Sequence, residues 1–181
     1  MSASQWWLLA LAAVLVFWMV GGYNRLVALR TAIGQAFAQL EPLLQQRRQA
    51  LEPLVALLKP ALHEADAADA LQGALLQVQA AAEAVRSKPV ATDSVATLVT
   101  AEQTLAAALA RVFALLEHHP GLRDQAPEVA HAHSELASLE PKLAFARQLF
   151  NAAADQYNDA ACQFPTSVLK ALYGFGVAGR L

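Results

Sequence analysis

Histidine and cysteine are the side chains with which this sequence could build a metal or thiol site. Of its five histidines, His131 and His133 lie two positions apart, so on a helix they point to different sides. A helical zinc site needs two ligands on one face, and no histidine pair here has the required i, i+4 spacing. Cys162 is the single cysteine and cannot form a thiolate cluster. We therefore expect solvated histidines, a Cys162 packed as a small apolar residue, and neither metal nor cofactor.

Four charged residues could form a second kind of site. Arg47 and Glu102 occupy positions in apolar stripes where an apolar side chain would ordinarily pack. If the apolar stripes are helices, the number of residues between each charge and the end of its helix farthest from the N-terminal segment gives its height along the bundle. The heights of Arg47, Glu102, Glu140 and Arg147 then differ by no more than about 10 Å. Buried charges persist only when they are paired. We predict one polar layer of ion pairs that fixes helix register, with a ligand or partner site built from the same charges as the alternative.

Nothing else in the sequence resembles catalytic machinery. We find no nucleophile beside a base, no glycine-rich phosphate loop and no carboxylate dyad in an enzyme-like cleft. The net charge of −2, without a basic block or interleaved aromatics, argues against a nucleic-acid partner. The sequence therefore predicts a protein that is not an enzyme.

The N-terminal segment has the properties of a membrane anchor. Residues 6–23 are eighteen uncharged residues, and a helix of that length spans about 27 Å, close to the hydrocarbon thickness of a bilayer. Tryptophans near both ends, with Tyr23, fit the aromatic belts of the two interfaces. A cleaved signal peptide is the alternative. It would need basic residues at its start and a clear small-residue cleavage site, and this segment has no basic residue at its start and no clear cleavage site. We predict a short tail at residues 1–5 and a transmembrane helix at 6–23.

Basic residues indicate the orientation of this anchor. Arg25, Arg30, Arg47 and Arg48 all follow the span, whereas only the terminal amine precedes it. The positive-inside rule then places the rest of the chain in the cytoplasm. A periplasmic or extracellular domain is the alternative.

Beyond the anchor, apolar residues recur with alternating spacings of three and four, which is typical of helices packed along coiled-coil-like seams. The alanine-rich composition also favours helix. Four such stripes lie in residues 24–164, separated near Pro60, at 87–94 and at 119–121. The short connections predict an all-α domain, an antiparallel up-down-up-down four-helix bundle with long first and fourth helices. Pro42, Pro53 and Pro141 should kink these helices, and Thr92, Asp93 and Ser94 are suitable N-caps for the third.

The unequal helix lengths predict a two-helix stalk next to the membrane. Ile33, Phe37, Phe150 and Tyr157 should stay partly open there unless a partner or the C-terminal tail covers them. Polar side chains at the same level could orient a docked protein. We predict a partner-binding collar of Asn24, Arg30, Asn151, Tyr157, Asn158 and Phe164. The tail, residues 165–181, either lies on the bilayer or packs against the stalk.

Several short motifs, taken together, resemble one known family. Tyr23-Asn24-Arg25-Leu26-Val27 resembles the membrane-exit segment of the LemA family, and Arg47-Arg48 with Pro53, Leu54 and Val55 is similar to its next motif. In the fourth helix the matching residues are Glu140, Ala146-Arg147, Phe150-Asn151, Tyr157-Asn158, Phe164-Pro165 and Gly174-Phe175. Phe150 departs from the tyrosine expected there. The resemblance implies a helical-bundle protein of the bacterial inner membrane.

Three classes of function fit these features. We favour a membrane-tethered scaffold or adaptor that binds a membrane or membrane-associated protein. The sequence leaves open whether the protein also forms homo-oligomers. A ligand-sensing bundle is the first alternative, although such receptors usually have a second transmembrane helix. Membrane remodelling or stress adaptation is the other.

Overall fold

The computed structural model describes residues 3–61, 65–118, 121, 127–163 and 176–181. This part of the chain contains four long helices: α1 (Ala3–Ala61), α2 (Ala65–Ser87), α3 (Thr92–Glu117) and α4 (Pro127–Cys162). Within the described residues the only β pairing is an isolated antiparallel bridge between Ala91 and Ala178. The predicted all-α class is confirmed.

The apolar stripes form one core. Leu71, Leu75 and Val78 on α2, for example, are buried together with Leu98 and Leu105 on α3. α1 packs against α4 and α2, and α2 packs against α3.

The contacts between α1 and α4 run in opposite directions along the two helices. Phe37 meets Phe150 edge to face at 6.2 Å between ring centroids, whereas Arg25 reaches Gln163 at 3.3 Å. α1 and α4 are therefore antiparallel. The up-down-up-down order of all four helices stays a prediction.

α1 carries the candidate membrane span and continues without interruption into the core. Within the part of the chain that the structure describes, two helices are long and apolar enough to cross a membrane, α1 and α3. The apolar stretch of α1 has a mean hydropathy of 1.8, and none of it is buried. α3, by contrast, buries six side chains in the bundle, as a core helix does. The long apolar N-terminal helix is the candidate anchor.

Prolines do not interrupt the helices, but the predicted cap of α3 is wrong. α1 runs through Pro42 and Pro53, and α4 runs through Pro141. Ala91 occupies the N-cap position of α3 without a side-chain cap, and Thr92 instead donates its hydroxyl to the carbonyl of Val177, 2.8 Å away. The side chain that would cap the helix thus binds the C-terminal residues.

The connection between α2 and α3 reaches α1 well beyond the anchor. A Cβ added to Gly34 would lie 3.9 Å from Pro89, eleven residues past Tyr23. Eleven helical residues correspond to about 16 Å. α1 therefore continues for about 16 Å between the α2–α3 connection and the end of the predicted membrane span.

The apolar residues expected to stay partly open at this level are buried. Ile33, Phe37, Phe150 and Tyr157 are all close to fully covered. The chain end adds Ala178 and Leu181 to the same core. The sequence predicted that a partner or the tail would have to cover these residues. In the described part of the chain, it is the tail that packs against this core.

Candidate functional site

The structure brings the four predicted charged residues into one set of ion pairs. Arg47 forms a bidentate pair with Glu102 through both terminal nitrogens, with Nη1 2.9 Å from Oε2. Arg147 donates to the same Oε2 at 3.1 Å and approaches Glu140 at 3.9 Å. The residues come from α1, α3 and α4, so this polar layer joins three helices.

Burial differs sharply within the polar layer. The side chains of Arg47 and Glu102 are 8% and 17% exposed, whereas those of Arg147 and Glu140 are 31% and 66% exposed. Glu140 is therefore largely solvated and contributes little. The Glu102 carboxylate accepts from the buried guanidinium of Arg47 and from the partly exposed guanidinium of Arg147. These contacts are charge-assisted hydrogen bonds, the strongest kind available to side chains.

Asn151 and Asn158, predicted as parts of the partner-binding collar, bind the chain's own end. The Asn158 amide donates to the carbonyl of Ala178 at 3.1 Å, and its oxygen accepts from the Ala178 N–H at 2.8 Å. Asn151 binds Leu181 in the same two-way fashion, at 2.7 and 2.8 Å. Each asparagine thus satisfies both backbone groups of one residue, as a neighbouring β-strand would.

The spacing of the two asparagines matches an extended chain. Asn151 and Asn158 are seven residues apart on α4, and Ala178 and Leu181 are three apart. Seven residues of helix rise about 10.5 Å, and three residues of extended chain span about 10 Å. The two lengths agree, so both asparagines can hold the tail at once. We call these four residues the asparagine clamp.

The tail is also fixed against the start of α3. A Cβ on Gly179 would lie 2.8 Å from the Val95 Cβ, closer than side-chain carbons approach one another, and 3.1 Å from the Thr92 Cα, which is a tight contact. Arg180 pairs with Asp155 at 3.4 Å on the outside. Of the two readings of the tail, packing against the bundle holds for residues 176–181. Residues 165–175 lie outside the described residues.

The remaining collar residues differ in their exposure. Tyr157 is buried, and this burial raises the pKa of its phenol, an effect that the nearby Arg30 guanidinium partly offsets. Arg30 and Asn24 are exposed. Phe164 lies outside the described residues.

Cys162 departs from its prediction. Its side chain is exposed rather than packed. It is the last residue of α4, whose neighbouring Ala160 and Ala161 face the core instead. Among the described residues no group of three or more His, Cys, Asp or Glu side chains is arranged to hold a metal ion.

The asparagine clamp is the feature that sequence reasoning missed. The seven-residue spacing of Asn151 and Asn158 places them on one shared face of α4. Their ligand could not be identified, because no periodicity marks residues 176–181 as an extended segment.

Comparison with known proteins identifies the family of this chain. Among curated proteins, no sequence matches this chain. A family model described as the LemA family matches residues 36–179. The match includes the whole polar layer and reaches Ala178 and Gly179 of the tail. It covers most of the chain, so this protein belongs to the LemA family.

Proposed function

We propose that this protein is a membrane-anchored scaffold or adaptor that presents its membrane-proximal surface to a protein partner and performs no chemistry itself. α1 anchors it in the bacterial inner membrane, with the bundle in the cytoplasm. The partner is a membrane or membrane-associated protein, or a second copy of this chain.

The distribution of exposed apolar side chains carries this proposal. Outside residues 6–23, the large apolar side chains exposed within the described part of the chain are Val27, Leu76, Phe145 and Val177. Two of them belong to the membrane-proximal level. Val27 follows Tyr23 by four residues, and Val177 precedes the clamped Ala178. Contiguous exposed apolar surface marks interaction sites, and we take Val27 and Val177 as parts of one such surface.

The asparagine clamp supports the same proposal. By holding only backbone atoms, it fixes the tail and leaves the Val177 side chain at the surface. A presenting surface must be rigid if it is to avoid a large entropic cost on binding. The clamp provides that rigidity close to the membrane.

Photo-crosslinking from the membrane-embedded protein tests the surface directly. A photoreactive residue at Val177 or Val27 should capture one dominant protein in intact membranes. Leu76 is a matched control, because its exposure of 56% is close to the 54% of Val177. It lies on α2, in the stretch that faces the distal half of α1 (Gln79 contacts Arg48, and Gln72 contacts Lys59). Equal capture at all three positions, or capture of lipid alone, would contradict the proposal.

The orientation needs a separate experiment. Cysteines introduced at Ser87 or Asp93, in a variant whose Cys162 is replaced, should resist an impermeant thiol reagent in intact cells. They should react once the inner membrane is opened. Ready labelling in intact cells would place the bundle on the other side.

A further inference from the structure

A groove opens between α3 and α4. Three other helix pairs pack closely, whereas α3 and α4 do not. In the described part of the chain, two contacts between long side chains bridge them. One is the ion pair of Glu102 with Arg147, and the other is an edge-to-face contact of Phe113 with His133, at 5.9 Å between ring centroids. The groove lies beside the second contact and has a volume of about 870 Å³.

The lining of this groove is mainly apolar and comes from both helices. Its apolar members are Phe113, Leu116, Val129, Ala130, Leu136 and Ala137. On α4 the lining residues extend from Val129 to Glu140, eleven residues that rise about 16 Å, or three helical turns. A groove with two helical walls and this length suits a third helix, which would bury an apolar stripe in it.

The charged residues of the groove are acidic. Glu117 and Glu140 line it, and no lysine or arginine is among the described residues that do so. Arg147 neutralises Glu140 only weakly, because it approaches to 3.9 Å while donating a hydrogen bond to Glu102. A basic occupant therefore complements the groove, and an acidic one is repelled by it.

The two carboxylates lie on opposite walls and at different levels. The contacts that bridge α3 and α4 show that these helices run in opposite directions. Glu117 is four residues beyond Phe113 on α3, and Glu140 is seven residues beyond His133 on α4. Because Phe113 and His133 meet at one level, the two carboxylates differ in level by eleven residues of helix, about 16 Å. An occupant helix must therefore carry basic side chains about three turns apart, one on each edge of its apolar stripe.

The groove is far from the membrane anchor. Arg47 is 24 residues past Tyr23 on α1 and pairs with Glu102 on α3. Phe113 is eleven residues further along α3. Helical rise then places the groove about 50 Å along the bundle from the end of the predicted span. Its occupant is a helix outside the bilayer, and the groove is separate from the membrane-proximal surface.

We propose that this groove binds a basic amphipathic helix from the soluble part of a partner protein. The apolar stripe of that helix packs on Phe113, Leu116 and Leu136. Its basic side chains pair with Glu117 on one wall and with Glu140 on the other. This site does not depend on the membrane-proximal surface, so each can be tested without the other.

Fluorescence anisotropy with a designed peptide tests the groove on the full chain in phosphatidylcholine nanodiscs. The probe is a labelled alanine-based helix of about 18 residues with a leucine stripe and two arginines about three turns apart on its opposite edges. A second peptide carries glutamate in place of both arginines. The arginine peptide should bind saturably, above the level seen with empty nanodiscs. The glutamate peptide should bind at least about tenfold more weakly because its charges face Glu117 and Glu140.

Reversing the charge of the groove is the sharpest control. In a Glu117→Lys, Glu140→Lys variant, the glutamate peptide should bind better than the arginine peptide. The matched control is Glu52→Lys with Glu83→Lys, which changes the net charge equally at two exposed positions outside the groove. That control should keep the preference of the wild type.

A filled groove gives a second, independent test. Ala137→Trp places a large side chain in it and should weaken binding of the arginine peptide at least about tenfold. Ala107→Trp makes the same change at an exposed position of α3 outside the groove and should leave binding unaltered.

Four results would each overturn the proposal. The first is no saturable binding to the wild-type protein, which is expected if a second copy or another segment of this chain fills the groove. The others are equal affinity for the two peptides, an unchanged preference after reversal of the groove charges, and full binding by the Ala137→Trp variant.

Discussion

Removing Glu102 is the most direct perturbation of the polar layer. In a Glu102→Ala variant, Arg47 keeps its charge in a site where its side chain is 8% exposed. Breaking a buried ion pair costs about 3–5 kcal/mol when the remaining charge stays desolvated. Arg147 is 31% exposed and can recover water. We therefore expect the lower end of that range, about 3 kcal/mol of unfolding free energy.

Urea denaturation of the full chain in detergent micelles, followed by the helical circular dichroism signal, measures this loss. The midpoint should fall while the slope stays constant, because the variant changes stability rather than the surface exposed on unfolding. For a chain of this size, about 3 kcal/mol corresponds to a melting temperature lower by about 6–12 °C.

Two further variants separate desolvation from a general loss of packing. Glu140→Ala also removes a carboxylate near Arg147, but Glu140 is 66% exposed and 3.9 Å away, so it should cost under about 0.5 kcal/mol. The double change Arg47→Met with Glu102→Leu removes both buried charges and should cost about 1 kcal/mol or less. If Glu140→Ala is as damaging as Glu102→Ala, or the double variant is as unstable as the single one, the reasoning is refuted.

Three more predictions concern the tail and the stalk. Gly179→Ala should cost about 1–3 kcal/mol in the same denaturation assay because its Cβ would clash with α3, whereas Gly176→Ala, with nothing within 4 Å, should be neutral. Asn158→Leu should cost about 2–3 kcal/mol by stranding the buried Ala178 N–H, and the exchange of that amide with deuterium should accelerate; unchanged exchange would exclude the clamp. Burial raises the folded-state pKa of Tyr157 above its ordinary 10.0, so its stabilising contribution is complete below pH 10 and is lost as the pH rises beyond it. The stability of the wild type relative to Tyr157→Phe should therefore fall above pH 10, and parallel pH curves for the two proteins would contradict this.

Much of the fold could be predicted from local patterns. The spacing of Leu71, Leu75 and Val78 requires only the helical repeat, which each helix carries within its own residues. The uncharged N-terminal run is equally local. Arg47 and Glu102 could be placed at one level because helical rise is constant. Their direct pairing, and the sharing of one carboxylate with Arg147, followed from helix-to-helix distances that the repeat leaves open.

Only the tertiary structure decided where the chain end lies. Residues 176–181 form an extended segment without periodicity. The backbone carbonyl and N–H groups of any sequence could form hydrogen bonds with the side-chain amides of Asn151 and Asn158. The same contact reassigned Thr92 from an expected helix cap to a tail contact. Local sequence specifies a helix because its hydrogen bonds join residues four apart. The tail is fixed by hydrogen bonds between residues 20 to 85 positions apart, and those partners meet only after the bundle has formed.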